Sequence, residues 1–298
     1  MASVKQRLSN ALRRARERSA LFDHLVTTQS HYSKVHGSAQ AGAVTYFGFL
    51  SFFPILALAF FAVGLLARVY PHARDNLVTA IDQVLPGMVG TGPGEIGLDS
   101  VQSYAGTVGL IGLVGVLYAG LGWLSAMRVA LVVVFEEPPQ DQPDLVKGYL
   151  RDVLTLAVIG VVLLVSVALS GAVTSFNDRI LTWVGVDPHS VGPNLVLWLV
   201  GHLLGVLATA LLLLAMYRLL ARPALPRRSL VEGALLGALG FEVLKSLATV
   251  LIGHTHDQPA FQAFGVALVL LVWINYFSRL VLYGAAWAGT AARSAPAD

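Results

Sequence analysis

Six polar residues sit inside otherwise apolar stretches of the chain: Arg128, His202, Glu242, Lys245, Asn275 and Arg279. A charge in hydrocarbon costs a few kcal/mol or more, so each charged group there must face protein or water and find a partner. Glu242 and Lys245 are three residues apart, which places them on one helix face and lets them pair. Arg279 is the other cation that Glu242 could take. Either choice leaves positive charge over among Arg128, Lys245 and Arg279. That surplus points to an electropositive interior suited to an anionic headgroup or another anion, with these six as candidate substrate-binding residues. Two other accounts fit the same residues. In one, Arg128 snorkels to headgroups while Glu242, Lys245 and Arg279 form a buried structural network. In the other, the charges relay protons or ions.

Other chemistry finds little support. Gly253-His254-Thr255-His256-Asp257 has two histidines at i, i+2, a spacing for a loop or strand rather than one helix face, and nothing elsewhere completes a zinc site. There is no phosphate-binding Walker motif and no convincing dinucleotide fingerprint. Cysteine is absent, which excludes disulfides and thiolate chemistry. The expectation is a protein that is not an enzyme, with no catalytic residue, metal or cofactor and no nucleic-acid partner.

The elements that position the polar residues follow from composition. Only 12% of the 298 residues are charged and 56% are hydrophobic, with mean hydropathy +0.70. A soluble domain carries about a quarter charged residues, so this chain has too few to wet a globular surface. Spanning ~30 Å of hydrocarbon takes ~20 apolar residues of helix. Six stretches qualify, at about 43–66, 108–135, 153–174, 195–219, 230–252 and 264–288. The predicted fold is all-α: a polytopic bundle of six transmembrane helices. Pro54 is expected to kink the first span without ending it, because neighbours in a membrane protein can satisfy the freed carbonyl. Between the first two spans, 77–85 reads as a short external amphipathic helix and Val89–Gly97 as a loop. Gly106, Gly109, Gly112 and Gly115, and likewise Gly233, Gly237 and Gly240, mark faces where helices can approach closely.

Charge fixes the expected orientation. Lys5, Arg7, Arg13, Arg14, Arg16, Arg18, Lys34, Lys147, Arg151, Arg218, Arg222, Arg227, Arg228 and Arg293 fall on one side of the predicted spans, against Arg68, Arg74 and Arg179 on the other. Fourteen against three predicts both ends in the cytoplasm, consistent with an even number of spans. Residues 1–42 form a basic cytoplasmic arm with Val4, Leu8, Leu12, Ala15, Phe22 and Val26 on one helical face, which predicts an interfacial helix on anionic headgroups. Residues 291–298 form a cytoplasmic tail.

The run Gly42-Ala43-Val44-Thr45-Tyr46-Phe47-Gly48-Phe49-Leu50-Ser51-Phe52-Phe53-Pro54 resembles the first-helix signature of the YihY/BrkB family, nearest its YhjD-like actinobacterial branch. Phe22-Asp23-His24, Tyr217-Arg218…Pro223, Phe264-Gly265, Leu271-Val272-Trp273-Ile274-Asn275-Tyr276 and Tyr283-Gly284-Ala285 fit the same pattern, so the resemblance covers nearly the whole chain. It implies an integral protein of the bacterial inner membrane, linked to envelope integrity and suspected of moving lipids or lipid precursors. A ribonuclease label once attached to the family finds no nuclease domain or metal constellation here. Two functions follow as expectations. One is a transporter or flippase of an anionic lipid or envelope precursor, with anionic membrane lipids as partners. The other is a non-transporting scaffold for envelope integrity, alone, as a homo-oligomer or with envelope proteins.

Overall fold

A computed structural model describes residues 13–66, 89–90, 96–138, 154–155, 191–255 and 259–294. It is all-α, as expected. The helices are α1 (Ala20–Lys34), α2 (Gly37–Leu66), α3 (Leu98–Phe135), α4 (Val191–Met216), α5 (Arg227–Thr255) and α6 (Pro259–Ser294). Residues 13–18 are also helical. The exception is a pair of two-residue parallel strands, Val89–Gly90 and Ile96–Gly97, inside the expected loop.

Five of the six expected spans fall on described helices. The third, 153–174, lies outside the described residues except for the helical pair 154–155, as do 1–12, the stretch 77–85 and the last four residues. α2 runs unbroken through Pro54. α2 begins six residues before the apolar stretch, α3 ten residues before, and α6 continues six residues beyond. Hydropathy registers only the part of a helix that matches hydrocarbon thickness, whereas the backbone keeps its helical hydrogen bonds into the polar flanks. Three stretches are long and apolar enough to cross a membrane among the described side chains: Tyr118–Phe135, His202–Ala221 and Ala267–Arg293.

The burial pattern fits a lipid exterior. On α4, Leu199, Leu203, Leu207 and Leu211 recur every fourth residue and are all exposed. Val231, Leu235, Leu239, Val243 and Leu247 do the same along α5. Continuous apolar ladders of this length would be an aggregation liability in water. In hydrocarbon they carry no such penalty. The interior holds Leu124, Met127, Leu131, Leu213, Met216, Tyr217, Leu220, Val281 and Leu282, all essentially inaccessible.

α6 is the central helix, touching α1, α2, α3 and α5. Against α5 the approach is backbone to backbone: a Cβ built at Gly233 would lie 2.2 Å from the Gly284 carbonyl oxygen. At Gly237 it would meet Leu213 at 2.6 Å, and at Gly240 Leu280 at 2.6 Å. The expected close-packing role of these three glycines is thus borne out, whereas the side-chain surroundings of Gly106, Gly109 and Gly112 lie outside the described residues. α4 ends in a π-helical turn, Tyr217–Ala221, closed by Arg222 N–H donating to the Tyr217 carbonyl at 3.1 Å. Tyr217 explains the turn: its hydroxyl crosses to α6 and donates to the Val281 carbonyl at 2.8 Å. Arg222 then takes a left-handed conformation (φ 51°) and stops the helix.

The N-terminal arm is held by this bundle. Ser19 caps α1 by accepting from Phe22 N–H. The helix then lays its polar and aromatic side on the last turns of α6. His24 stacks on Trp287 (3.8 Å between ring centres) and bonds Thr290 at 2.9 Å, while Thr28 meets the same Thr290 hydroxyl at 3.0 Å. Tyr32 stacks on Tyr283 at 3.9 Å, and Tyr283 donates its hydroxyl to Gln29. Leu21 and Leu25 stay exposed, so α1 uses one side for the bundle and keeps an apolar edge outward. Because α1 rests on the end of α6, both described termini lie at one end of the bundle.

That end is tied together at Glu136. The residue terminates α3 in a left-handed conformation (φ 58°). Its carboxylate takes Lys34 at 3.2 Å and Arg293 at 2.7 Å, joining α1, α3 and α6. The Lys34 hydrogen bond holds Glu136 below the ordinary carboxylate range, against an opposing effect of burial and with help from Arg293 and His31. His31 donates to the Val134 carbonyl at 2.8 Å beside them.

Candidate functional site

Five of the six polar residues divide among three neighbourhoods. The first is on α5, where Lys245 Nζ lies 2.6 Å from Glu242 Oε1. Their side chains are only 21% and 13% exposed, so the pair is shielded on both sides. Of the two cations open to Glu242, the structure takes Lys245. Phe241 supports it, with its ring centre 5.5 Å from the ammonium, and itself packs on Trp273 and Phe277 of α6.

The pair rests on α4 through Gly205. A Cβ there would come 2.6 Å from Glu242 Oε1 and 3.6 Å from Lys245 Nζ, so the carboxylate occupies the space a side chain would need. Gly205 is three residues after His202 and shares its helix face, which sets His202 one turn along from the ion pair. Sequence reading missed Gly205. Its one signal was that i, i+3 spacing from His202, hidden among the many glycines of the apolar runs.

The second neighbourhood joins α6 to α2. Asn275 donates through Nδ2 to Thr45 Oγ1 at 3.1 Å, and Thr45 donates in turn to the Ala41 carbonyl. One turn further, Gly48 admits Ile274 and Trp123, which would stand 2.9 and 3.1 Å from an added Cβ. Asn275 is therefore a bridge between helices rather than a companion of the Glu242 pair. Arg128, on α3, and His202 are each engaged by neighbours of their own.

The third neighbourhood is around Arg279. Its guanidinium carbon stands 5.9 Å from the Tyr276 ring centre. Its Nε is buried and has no acceptor among the described residues. Arg279 is one turn before Tyr283, on which Tyr32 stacks. The Tyr32 hydroxyl is a second buried polar group without a hydrogen-bond partner among the described residues. Burial pushes the Tyr32 phenol above its ordinary range, while Ser38 and the Arg279 guanidinium pull it back. Ser38 is near enough to act on the phenol, yet no hydrogen bond of ordinary geometry joins them. Tyr32 was also missed in the sequence, since it fell in the arm and lay outside the apolar helical face traced there. The Gly253–Asp257 run straddles the end of α5, where side chains are outside the described residues.

The family model described as Virulence factor BrkB matches residues 28–298. The chain belongs to the BrkB family. Among relatives of this BrkB chain, the Inner membrane protein YhjD of Escherichia coli (strain K12) is 30% identical over 282 residues, covering 92% of this chain and 82% of that protein. An uncharacterized protein of Dickeya dadantii (strain 3937) is 29% identical over 275 residues, covering 90% and 83%. No solved structure matches. The BrkB match begins inside α1 and runs through the tail, so it takes in the α1–α6 closure, the Thr45–Asn275 bridge and the Glu242–Lys245 pair together.

Proposed function

We propose that this membrane protein of the BrkB family moves an anionic lipid or a lipid-linked envelope precursor between leaflets of the inner membrane. One observation carries the reading. Glu242, the carboxylate deepest in the expected spans, is taken by Lys245, which leaves Arg279 with a buried donor and no acceptor among the described residues. An uncompensated cation at this depth is costly. A passing anionic headgroup offsets that cost while its acyl chains remain in hydrocarbon. Leu271, Val272 and Tyr276 are exposed on the same helix as Arg279, which supports a lateral path for a headgroup from surrounding lipid.

The test is movement of a fluorescent phosphatidylglycerol in proteoliposomes, read by the fraction bleached by an external reductant. The parent protein is expected to exceed protein-free vesicles, and Arg279→Gln to slow the movement several-fold at unchanged thermal stability. A parent protein no faster than empty vesicles removes transport and leaves the scaffold reading, which the multiply tied end at Glu136 favours. Both readings are non-enzymatic.

The orientation in this proposal has both termini in the cytoplasm, from the fourteen-to-three distribution of Lys and Arg. Cysteines placed at the exposed Ser30 and Ala224 are expected to resist a membrane-impermeant maleimide in intact cells, and one at Ser100 to react. The opposite pattern inverts the topology.

A further inference from the structure

Two buried donors without partners lie at one junction of the fold. Tyr32 is 2% exposed and its hydroxyl has no hydrogen-bond partner among the described residues. Arg279 Nε is likewise buried and unmatched. More than nine in ten buried polar groups in native proteins have a partner, and an unmatched one costs about 1–3 kcal/mol, more when charged. Two such groups in one neighbourhood therefore need a common cause.

The surroundings hold both in place. The Tyr32 ring is fixed by stacking on Tyr283 and by Gly37, where any Cβ would overlap the ring at 2.3 Å. Its hydroxyl has little freedom to turn away. Arg279 is set by Tyr276 beneath its guanidinium and lies one helical turn from Tyr283, on the same face of α6. The guanidinium acts electrostatically on the phenol, and the Ser38 hydroxyl at the start of α2 lies near enough to lower its pKa by hydrogen bonding, though short of ordinary hydrogen-bond geometry. Three elements thus direct donors to one place: α1 through Tyr32, α2 through Ser38 and α6 through Arg279.

We propose that Tyr32 Oη and Arg279 Nε are two donors of one oxyanion seat at the junction of α1, α2 and α6, taking a group of the phosphate-ester class. The guanidinium donates only and carries a positive charge, while the phenol can donate beside it, so a cation as ligand is disfavoured. A phosphate-ester oxygen matches because it is anionic and offers several acceptor positions to a guanidinium. The exposed Tyr276, 51% accessible beside Arg279, borders the lipid-facing side of α6. The seat therefore admits a phosphodiester whose tails stay in the bilayer, and the same donors would hold a free phosphate. The inference rests on the anionic-ligand reading above but adds a fixed resting site and assigns Tyr32 to it. Tyr32 is there a ligand-holding residue that the apolar pattern of the arm does not reveal.

The experiment uses the full chain and two variants, Tyr32→Phe and Arg279→Gln. Tyr32→Phe keeps the stack on Tyr283 and the contact at Gly37 and removes only the hydroxyl. In one arm, protein in phosphatidylglycerol nanodiscs is released into native mass spectrometry. In the other, delipidated protein in detergent is titrated with inorganic phosphate by calorimetry. The expected result is a retained phosphatidylglycerol on the parent, about tenfold less affinity in Tyr32→Phe, as for one lost hydrogen bond to a charged group, and none detectable in Arg279→Gln. If only the phosphate arm responds, with the same ranking, the seat serves a free oxyanion. If both variants match the parent in both arms, the seat does not exist. Binding that follows this ranking in a protein without transport keeps the seat and removes the flippase. Transport by Tyr32→Phe with unaltered binding does the reverse.

Discussion

Gly233→Leu is expected to abolish accumulation of folded protein. A Cβ at that position would lie 2.2 Å from the Gly284 carbonyl oxygen and 2.9 Å from Ala288 Cβ. The first obstacle is backbone, which cannot rotate away as a side chain can. Relief requires α5 and α6 to separate, and with them Tyr217, whose hydroxyl is wedged beside Gly284 while bonded to Val281. Overpacking a well-filled interior costs about 1–3 kcal/mol, and a branched side chain against a carbonyl stands at the upper end of that range. Membrane helices gain little from the hydrophobic effect in associating, so close contact supplies much of what holds them. The measurement is yield and melting temperature of detergent-solubilised protein by fluorescence-detected size exclusion. Gly42→Leu is the control, since an added Cβ there meets nothing within 4 Å. Equal stability of the two variants would remove the close-approach account of α5 and α6.

Glu242→Gln is expected to destabilise the bundle by about 3–5 kcal/mol, the usual consequence of removing one partner from a buried ion pair. Lys245 would remain with Phe241 at 5.5 Å and no carboxylate at 2.6 Å. Lys245→Met in the same background removes the stranded ammonium and is expected to restore much of the loss. Replacing both charges by groups of similar volume is often neutral. Non-additivity of the double-mutant cycle is the diagnostic readout, taken from the unfolding midpoints of all four proteins. Additive effects would mean that the two residues do not act as a pair. Gly205→Ala offers a third route into the same interaction, because its methyl group would displace the Glu242 carboxylate from α4.

The signature residues that carried the family resemblance turn out to be contact residues. Thr45 bonds Asn275, Gly48 receives Ile274 and Trp123, and His24 stacks on Trp287. The motifs were visible in the chain as strings of residue types, but their partners were not. Helix existence was legible because apolar runs of membrane length are unmistakable. Helix ends were less so. The first turns of α2 and α3 are amphiphilic or polar, and the π-helical turn at Tyr217–Ala221 depends on a hydroxyl reaching a carbonyl 64 residues later. Spacing alone paired Glu242 with Lys245, because i, i+3 neighbours on one helix need no tertiary information. The same logic could not place Arg279, whose surroundings include Tyr32 from a helix nearly 250 residues earlier in the chain. Nor could it read the arm's aromatic side. Tyr32 and His24 look polar enough for solvent until α6 is brought against them.

The closure of α1 on α6 bears on how the protein is made. α1 leaves the ribosome long before α6, the last described helix. At ~5–20 residues per second, synthesis of the intervening chain takes on the order of tens of seconds. Throughout that time Tyr32 has no Tyr283 to stack on and His24 has no Trp287, while Glu136, once made, meets Lys34 without the Arg293 that will later share it. A nascent or truncated chain that stops before α6 leaves the docking side of α1 uncovered for chaperones and proteases. Burial of the docking side of α1 is thereby a report that α6 has been made and packed against it.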